Sequence, residues 1–431
     1  QLHDDFAADD QSLIPTQTAN EKVGGEIHDR ARPIPRISIQ GFVATNEVAN
    51  DLQVTSNDRR LSMTHLSIHM GGVDAAVAQY QDSPTPNLII VESLGASHQL
   101  LSELDALAEY CDEGTKVIVI GHLNDIILYR ELLKRGVSEY LVAPITPLQL
   151  MESISNLYVD PTTDPVGKVY AFIGAKGGVG SSTICHNASW VLSEVLASDV
   201  VIADLDLAFG TAGLDFNHDP VQGIADALSS PDRLDEVLLD RLLTSCSEHL
   251  SIFAAPVLLE HEYDLQAEAC EAVINIIRQN VPTVSLDLPH LWTSWAKHLL
   301  LQSDEVIITA TPDLANLRNT KNLVDLLKAS RQHDNAPHLI LNMTSVPKKP
   351  EISVHEFEQA LELKVTAAIE FDPETFGEAA NKGQMIEELS PKSKSAPQMR
   401  DIALAIAGRQ ETRAEKKSSL EFLKSFSFMR G

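Results

Sequence analysis

The chain has 431 residues, 44% of them hydrophobic, and its 61 Asp and Glu against 33 Lys and Arg leave a formal charge of −28. That is apolar material for two or three packed domains, and a chain so negative repels a phosphate backbone, which disfavours a general DNA-coating role. Four scattered cysteines, Cys111, Cys185, Cys246 and Cys270, have no metal-site spacing, and no apolar run approaches the roughly 20 residues of a membrane span, so buried thiols in a cytoplasmic protein are expected.

Residues 1–36 mix Asp4, Asp5, Asp9 and Asp10 with Gln, Thr, Gly and Pro and show no apolar period; a disordered segment is expected there. The N-terminus also lacks the basic-then-apolar order of a signal peptide, and an opening Gln1 rather than Met points to a start further upstream. Over 37–158 the runs ISIQGFVAT, PNLIIV, KVIVI and EYLV alternate with amphipathic stretches such as SHQLLSELDALAEYC. This predicts an α/β domain, a parallel sheet flanked by helices. Residues 159–167, VDPTTDPVG, read as a linker. A second, larger α/β domain is expected over 168–409, with strand-like runs KVYAFIG, DVVIADLDL, LSIFAAP, PTVSLDL, EVIITATP, HLILNMT and TAAIEF and a closing helical pattern around Asp401–Gly408. The tail 410–431 is net positive from Thr412 on, with Arg413, Lys416, Lys417, Lys424 and Arg430 against Glu415 and Glu421, and it carries Leu420, Phe422, Leu423, Phe426, Phe428 and Met429. Basic plus aromatic suits a segment lying on anionic lipid. Phe422 and Phe428 nevertheless fall off the face shared by Leu423 and Phe426, so a partner-binding or disordered tail fits as well.

The strongest motif is FIGAKGGVGSST, residues 172–183, directly after a strand-like run and directly before the helical run ICHNASWVLSEVL. Strand, glycine-rich turn and helix start together turn backbone N–H groups toward an anion, and the helix dipole favours its charge. The loop residues Lys176, Gly177, Gly178, Val179, Gly180, Ser181, Ser182 and Thr183 are therefore the candidate phosphate cradle, with Ser182 where a P-loop hydroxyl holds Mg²⁺. A glycine-rich turn without a ligand is the plainer alternative. Against the usual P-loop pattern Ala175 replaces the first glycine and Ser181 the lysine before the Ser/Thr. That lysine reaches the β- and γ-phosphates, so its loss weakens hydrolysis more than binding.

The run KGGVG resembles the deviant Walker A motif of the MinD/ParA family of P-loop ATPases, whose signature lysine, here Lys176, precedes the two glycines. VIADLD, residues 201–206, is similar to that family's acidic strand. The resemblance implies that Asp204 joins the metal set and that Asp206 belongs to switch I, positioning water and metal. TVSLD, residues 283–287, resembles its Walker B strand, which implies that Asp287 binds Mg²⁺ through water; for either carboxylate, capping of the next turn is the structural alternative. Asn342 matches the adenine-contacting Asn, and Asp372 and Pro373 the segment closing over the base. The family further implies ATP and Mg²⁺ as cofactors and a sandwich homodimer in which Lys176 reaches the partner's site, so that catalysis would need Lys176 and Asp206 together.

Residues 37–158 resemble a flavodoxin-like response-regulator receiver domain stripped of its chemistry. Glu92 stands at the phosphoacceptor position, Gly121 at the switch Thr/Ser, Ala143-Pro144 at the Lys-Pro pair, and GFVATN lacks the acidic pair. Docking or dimerisation remains as its role. A receiver-like domain joined to KGGVGSST is similar to the CpaE/TadZ family of Tad/Flp pilus assembly. That resemblance implies a cytoplasmic localisation factor at a cell pole or the inner face of the inner membrane. Its partners would be the pilus secretion ATPase and inner-membrane platform proteins, with no specific nucleic acid. A ParA/MinD-type partitioning or division-site ATPase and a phosphorylated regulator with an ATPase output are the competing functions.

Overall fold

A computed structural model describes residue 34 and residues 37–158 and 166–408, except Met63, Glu113, Ala208, Val221 and residues 257–264. The expected disordered segment 1–36 lies almost wholly outside the described residues, as do 159–165 of the expected linker and the tail 410–431. The chain forms two compact units, one holding the elements of residues 34–158 and the other those of 166–408.

In the first unit, strands β1 (Ser38–Val43), β2 (His65–Met70), β3 (Leu88–Glu92), β4 (Lys116–Gly121) and β5 (Glu139–Val142) form a parallel sheet in the order β2-β1-β3-β4-β5. Helices α1 (Asn46–Ser56), α2 (Gly72–Tyr80), α3 (Ser97–Ala108), α4 (Ile126–Lys134) and α5 (Pro147–Tyr158) connect them. Every residue of β3 is buried, as a central parallel strand requires. Its side chains alternate between two cores, Leu88 and Ile90 on one face and Ile89 and Val91 on the other. Helix starts are set locally: the Thr45 side chain accepts from the Val48 N–H and the Asp125 side chain from the Ile127 N–H. Strand order reverses between β1 and β3, which opens a crevice at their carboxyl ends. Edge strand β2, HLSIHM, is exposed or half-buried throughout, and without a continuous apolar run the periodicity passes over it.

The second unit carries an eight-stranded sheet. Its strands are β6 (Lys168–Gly174), β7 (Val200–Asp204), β8 (Thr244–Ser245), β9 (Leu250–Phe253), β10 (Thr283–Asp287), β11 (Glu305–Ala310), β12 (His338–Thr344) and β13 (Val365–Glu370). They run β13-β12-β11-β6-β10-β7-β9-β8, parallel but for the β8–β9 pair. Between them lie α6 (Ser181–Trp190), α7 (Ala212–Asp215), α8 (Ile224–Ser229), α9 (Glu236–Leu242), α10 (Ala267–Asn280), α11 (Ser294–Gln302), α12 (Leu314–Ser330) and α13 (Val354–Leu361). Helices α14 (Pro373–Lys382), α15 (Ile386–Leu389) and α16 (Ser395–Ile406) follow β13. Along β6, Val169, Ala171 and Ile173 join one core with α10 and α11, while Tyr170 and Phe172 join the other with α6 and α16. Two covered faces explain why the inner strands β6 and β7 read as nearly unbroken apolar runs. Among the described residues no helix is long and apolar enough to cross a membrane.

Candidate functional site: the loop after the central strand

Strand β6 lies between β10 and β11, so the loop that follows it leaves the middle of the sheet, and α6 begins at Ser181. Gly178 and Gly180 take the left-handed φ values of +79° and +86°, which only glycine adopts without strain. Neighbouring elements hold the loop by its carbonyls. Asn342 Nδ2 donates to Val179 O at 2.8 Å, Asn319 Nδ2 to Ala175 O at 2.9 Å, and the His290 ring lies 3.0 Å from Gly174 O. Residues 177–178 form a turn, and among the described residues the N–H groups of Gly177, Gly178 and Gly180 meet no backbone acceptor. Pinned carbonyls with unused N–H groups are what an anion cradle needs. Ser181 Oγ is buried without a hydrogen-bond partner, an orphan at the very position where the usual pattern has lysine.

Behind the loop sits an acidic cluster. Asp287 ends β10 and Asp204 ends β7, in direct register with each other. Both are buried. Ser182 Oγ donates to Asp287 Oδ1 at 3.1 Å. Asp204 accepts from the N–H groups of Asp206 at 3.2 Å and Ala212 at 3.1 Å, and Gly210 packs so close that a Cβ there would lie 2.3 Å from Asp204 Oδ2. Burial, and then the Asp287 charge, push the Asp204 carboxyl above its ordinary range. His186 on α6 completes the cluster, its Nδ1 2.8 Å from Asp215 Oδ2 and its Nε2 3.4 Å from Asp287 Oδ2. Burial would lower this imidazole, but the bond to Asp215 and the charges of Asp287 and Asp215 override it and raise it to about 10. Among the described residues no group of three or more His, Cys, Asp or Glu is placed to hold a metal ion.

Beside the cradle, Gly180, Thr183, Asn342, Asp372 and Pro373 line a largely apolar cavity of about 250 Å³ with Phe371 and Phe376. Asp372 caps α14, accepting from the Thr375 N–H at 3.0 Å, and the Thr375 side chain, and then this N–H, hold its carboxyl below the usual range. Asn342 spends one N–H on Val179 O and accepts from its neighbour Met343 at 2.9 Å, which leaves one N–H and one lone pair for a ligand. Ser182, Asp204 and Asp287 are thus brought together, and Asn342, Asp372 and Pro373 share one cavity. Lys176 stands apart, exposed on the front of the loop, and Asp206 is half-buried on the segment after β7. His186 and Asp215 escaped the sequence reading. A histidine four residues after the loop hydroxyl, on the same helix face, was a signal for the first; only tertiary structure supplies the second.

No family model matches this chain. A ParA family ATPase from Chlorobium tepidum is 27% identical over 55% of this chain and 98% of its own, with a TM-score of 0.51. The eight-stranded unit has the MinD/ParA-type P-loop fold. Septum site-determining protein MinD of Helicobacter pylori is 26% identical over 279 residues, 61% of this chain and 98% of that protein. MinD from Pyrococcus horikoshii, solved with Mg-ADP, covers 56% of this chain and 96% of its own at 22% identity and a TM-score of 0.50, and shows the fold alone. CpaE pilus assembly proteins are also among the solved neighbours: that of Caulobacter crescentus is 49% identical over 30% of this chain and 98% of its own, with a TM-score of 0.30.

The crevice of the first unit is filled from within. The fully buried Glu92 carboxylate accepts from the N–H groups of Ala44 and Thr45 at 2.7 and 2.8 Å and from Thr45 Oγ1 at 2.9 Å, and His122 Nε2 lies 3.0 Å away. Burial alone would raise the Glu92 pKa, but the bonds from Thr45, His122 and Ala44 together hold it below the usual range.

Proposed function

We propose that this chain is a P-loop switch of the MinD/ParA type that binds ATP with Mg²⁺ and hydrolyses it slowly or not at all. As a nucleotide-dependent homodimer it helps place Tad/Flp pilus assembly, with its secretion ATPase and inner-membrane platform, at a cell pole or the inner face of the inner membrane. The observation that supports this best is the cradle with Ser182 bonded to Asp287 behind unused loop N–H groups. Lys176 to Thr183 would hold the phosphates, Ser182, Asp204 and Asp287 the Mg²⁺, and Asn342, Asp372 and Pro373 the base. Bound Mg·ATP supplies a cation-screened triphosphate whose terminal phosphoryl can leave.

What the chain itself contributes explains the expected slowness. Ser181 offers a neutral hydroxyl where a lysine would offset the charge of phosphoryl transfer. Lys176, exposed on the loop, remains as the cation of the motif, and the resemblance gives it to the partner's site, with Asp206 on the water. The pilus-assembly part rests on the sequence resemblance and on sequence identity to a chain named as a CpaE pilus assembly protein.

Calorimetry with Mg·ATP and Mg·ADP, combined with light scattering, tests the reading on the intact chain and Lys176→Ala. ATP should bind both proteins and double the mass of the intact chain only, with turnover well below that of an ordinary MinD-type ATPase. Absence of binding of either nucleotide at high micromolar concentration would make the loop a relic and overturn the proposal.

A further inference from the structure

The histidine behind the loop has no part in that reading, yet it contacts both Asp287 and Asp215. His186 is 1% exposed and one turn beyond Ser182 on α6. Its Nδ1 lies against Asp215 Oδ2, which also accepts from Thr211 Oγ1 at 3.0 Å. Its Nε2 is 3.4 Å from Asp287 Oδ2, near enough for an ion pair yet without a hydrogen-bond partner. Asp287 holds Ser182 through its other oxygen. One chain of contacts therefore runs from the loop hydroxyl through Asp287, His186 and Asp215 to Thr211. It ends at α7, where Leu214 is 73% exposed and the nearby Phe209 likewise 73%.

We infer that His186 is a positioning residue that transmits the state of the loop site to residues 209–217, so that the exposed Phe209 and Leu214 are presented differently with and without nucleotide. The inference rests on the nucleotide reading and adds its regulation. The Nε2–H is the loose joint of the chain: a buried polar hydrogen without an acceptor is costly, and a small turn of Asp287 would satisfy it. Ser182 and Asp287 are bonded to each other, and a Mg²⁺ that takes up the Ser182 hydroxyl and Asp287 Oδ1 would re-aim the Asp287 carboxylate. His186 then follows, because its other nitrogen is fixed to Asp215, and Asp215 carries α7 with it. A buried side chain anchored at one nitrogen and unsatisfied at the other gains a bond in a second arrangement, and a ligand that favours that arrangement would couple the two places.

The test is hydrogen–deuterium exchange of the full chain with and without saturating Mg·ADP, with calorimetry alongside, in wild type, His186→Ala and Asp215→Asn. Asp215 is part-exposed, so its variant remains informative if the core substitution fails to fold. In wild type Mg·ADP should change exchange over 209–217 by about fivefold or more. Both variants should still bind Mg·ADP, at most about 100-fold more weakly than wild type, while that response disappears. Added imidazole should restore it in His186→Ala, which a merely structural role would not allow. The same response in wild type and variants, no response in a wild type that binds, or abolished binding in both variants would each overturn the inference alone. Failure of wild type to bind Mg·ADP overturns the nucleotide reading and the inference with it.

Discussion

Glu92 shows how far one side chain decides what a crevice does. Its longer arm brings the carboxylate onto the Ala44 and Thr45 N–H groups, so the first unit carries its own anion at the place where its fold opens. Charge-assisted bonds to a buried carboxylate are among the stronger ones, and Glu92→Gln is expected to cost about 1–3 kcal/mol of stability, read by chemical denaturation. The pH dependence follows from the depressed folded pKa. The contribution is fully present above the unfolded value near 4.5 and is lost as pH falls through the lower folded value. Wild type and variant should therefore converge in strongly acid solution; a difference unchanged down to the lowest pH would show that the charge is not what holds the loop.

The strand–loop–helix of residues 168–190 works as one element because glycine sits where nothing else fits. A Cβ on Gly180 would lie 2.6 Å from Asn342 Nδ2, at a φ of +86°. Gly180→Ala must then strain the backbone and push away the amide that pins Val179 O. The expected cost is about 1–3 kcal/mol, together with loss of Mg·ATP binding. Thermal unfolding and calorimetry on the same protein read both, and a variant with wild-type affinity would mean that Asn342 does not shape the cradle. At this scale strand β2 is the instructive failure: a half-exposed edge strand needs no apolar run, because its neighbour supplies the core.

A formal charge of −28 sets the behaviour of the whole molecule. Self-repulsion opposes the compact state and weakens when salt screens it, over a Debye length of about 8 Å at physiological ionic strength. The melting temperature should therefore rise between low salt and physiological salt. The same charge predicts no retention of DNA in a gel shift at low salt with Mg·ATP present. Clear retention would reveal a segregated basic patch and revive a DNA-partitioning role.

Sequence alone determined the α/β class, the position of the loop and the residue types in it, because strand runs, glycine turns and helix starts are local and each carries its own spacing. The resemblance to the MinD/ParA family also singled out Asp204 and Asp287, each after an apolar run. Their joint burial was decided by the sheet, which sets β7 and β10 side by side in register although 83 residues separate these two aspartates in the chain. The pairing of His186 with Asp215 across 29 residues, the capture of Val179 O by Asn342 and the filling of the first crevice by Glu92 likewise belong to tertiary structure. Hydrogen bonds between distant segments leave no periodicity in the chain; they exist only once packing has excluded water and brought the partners within about 3 Å.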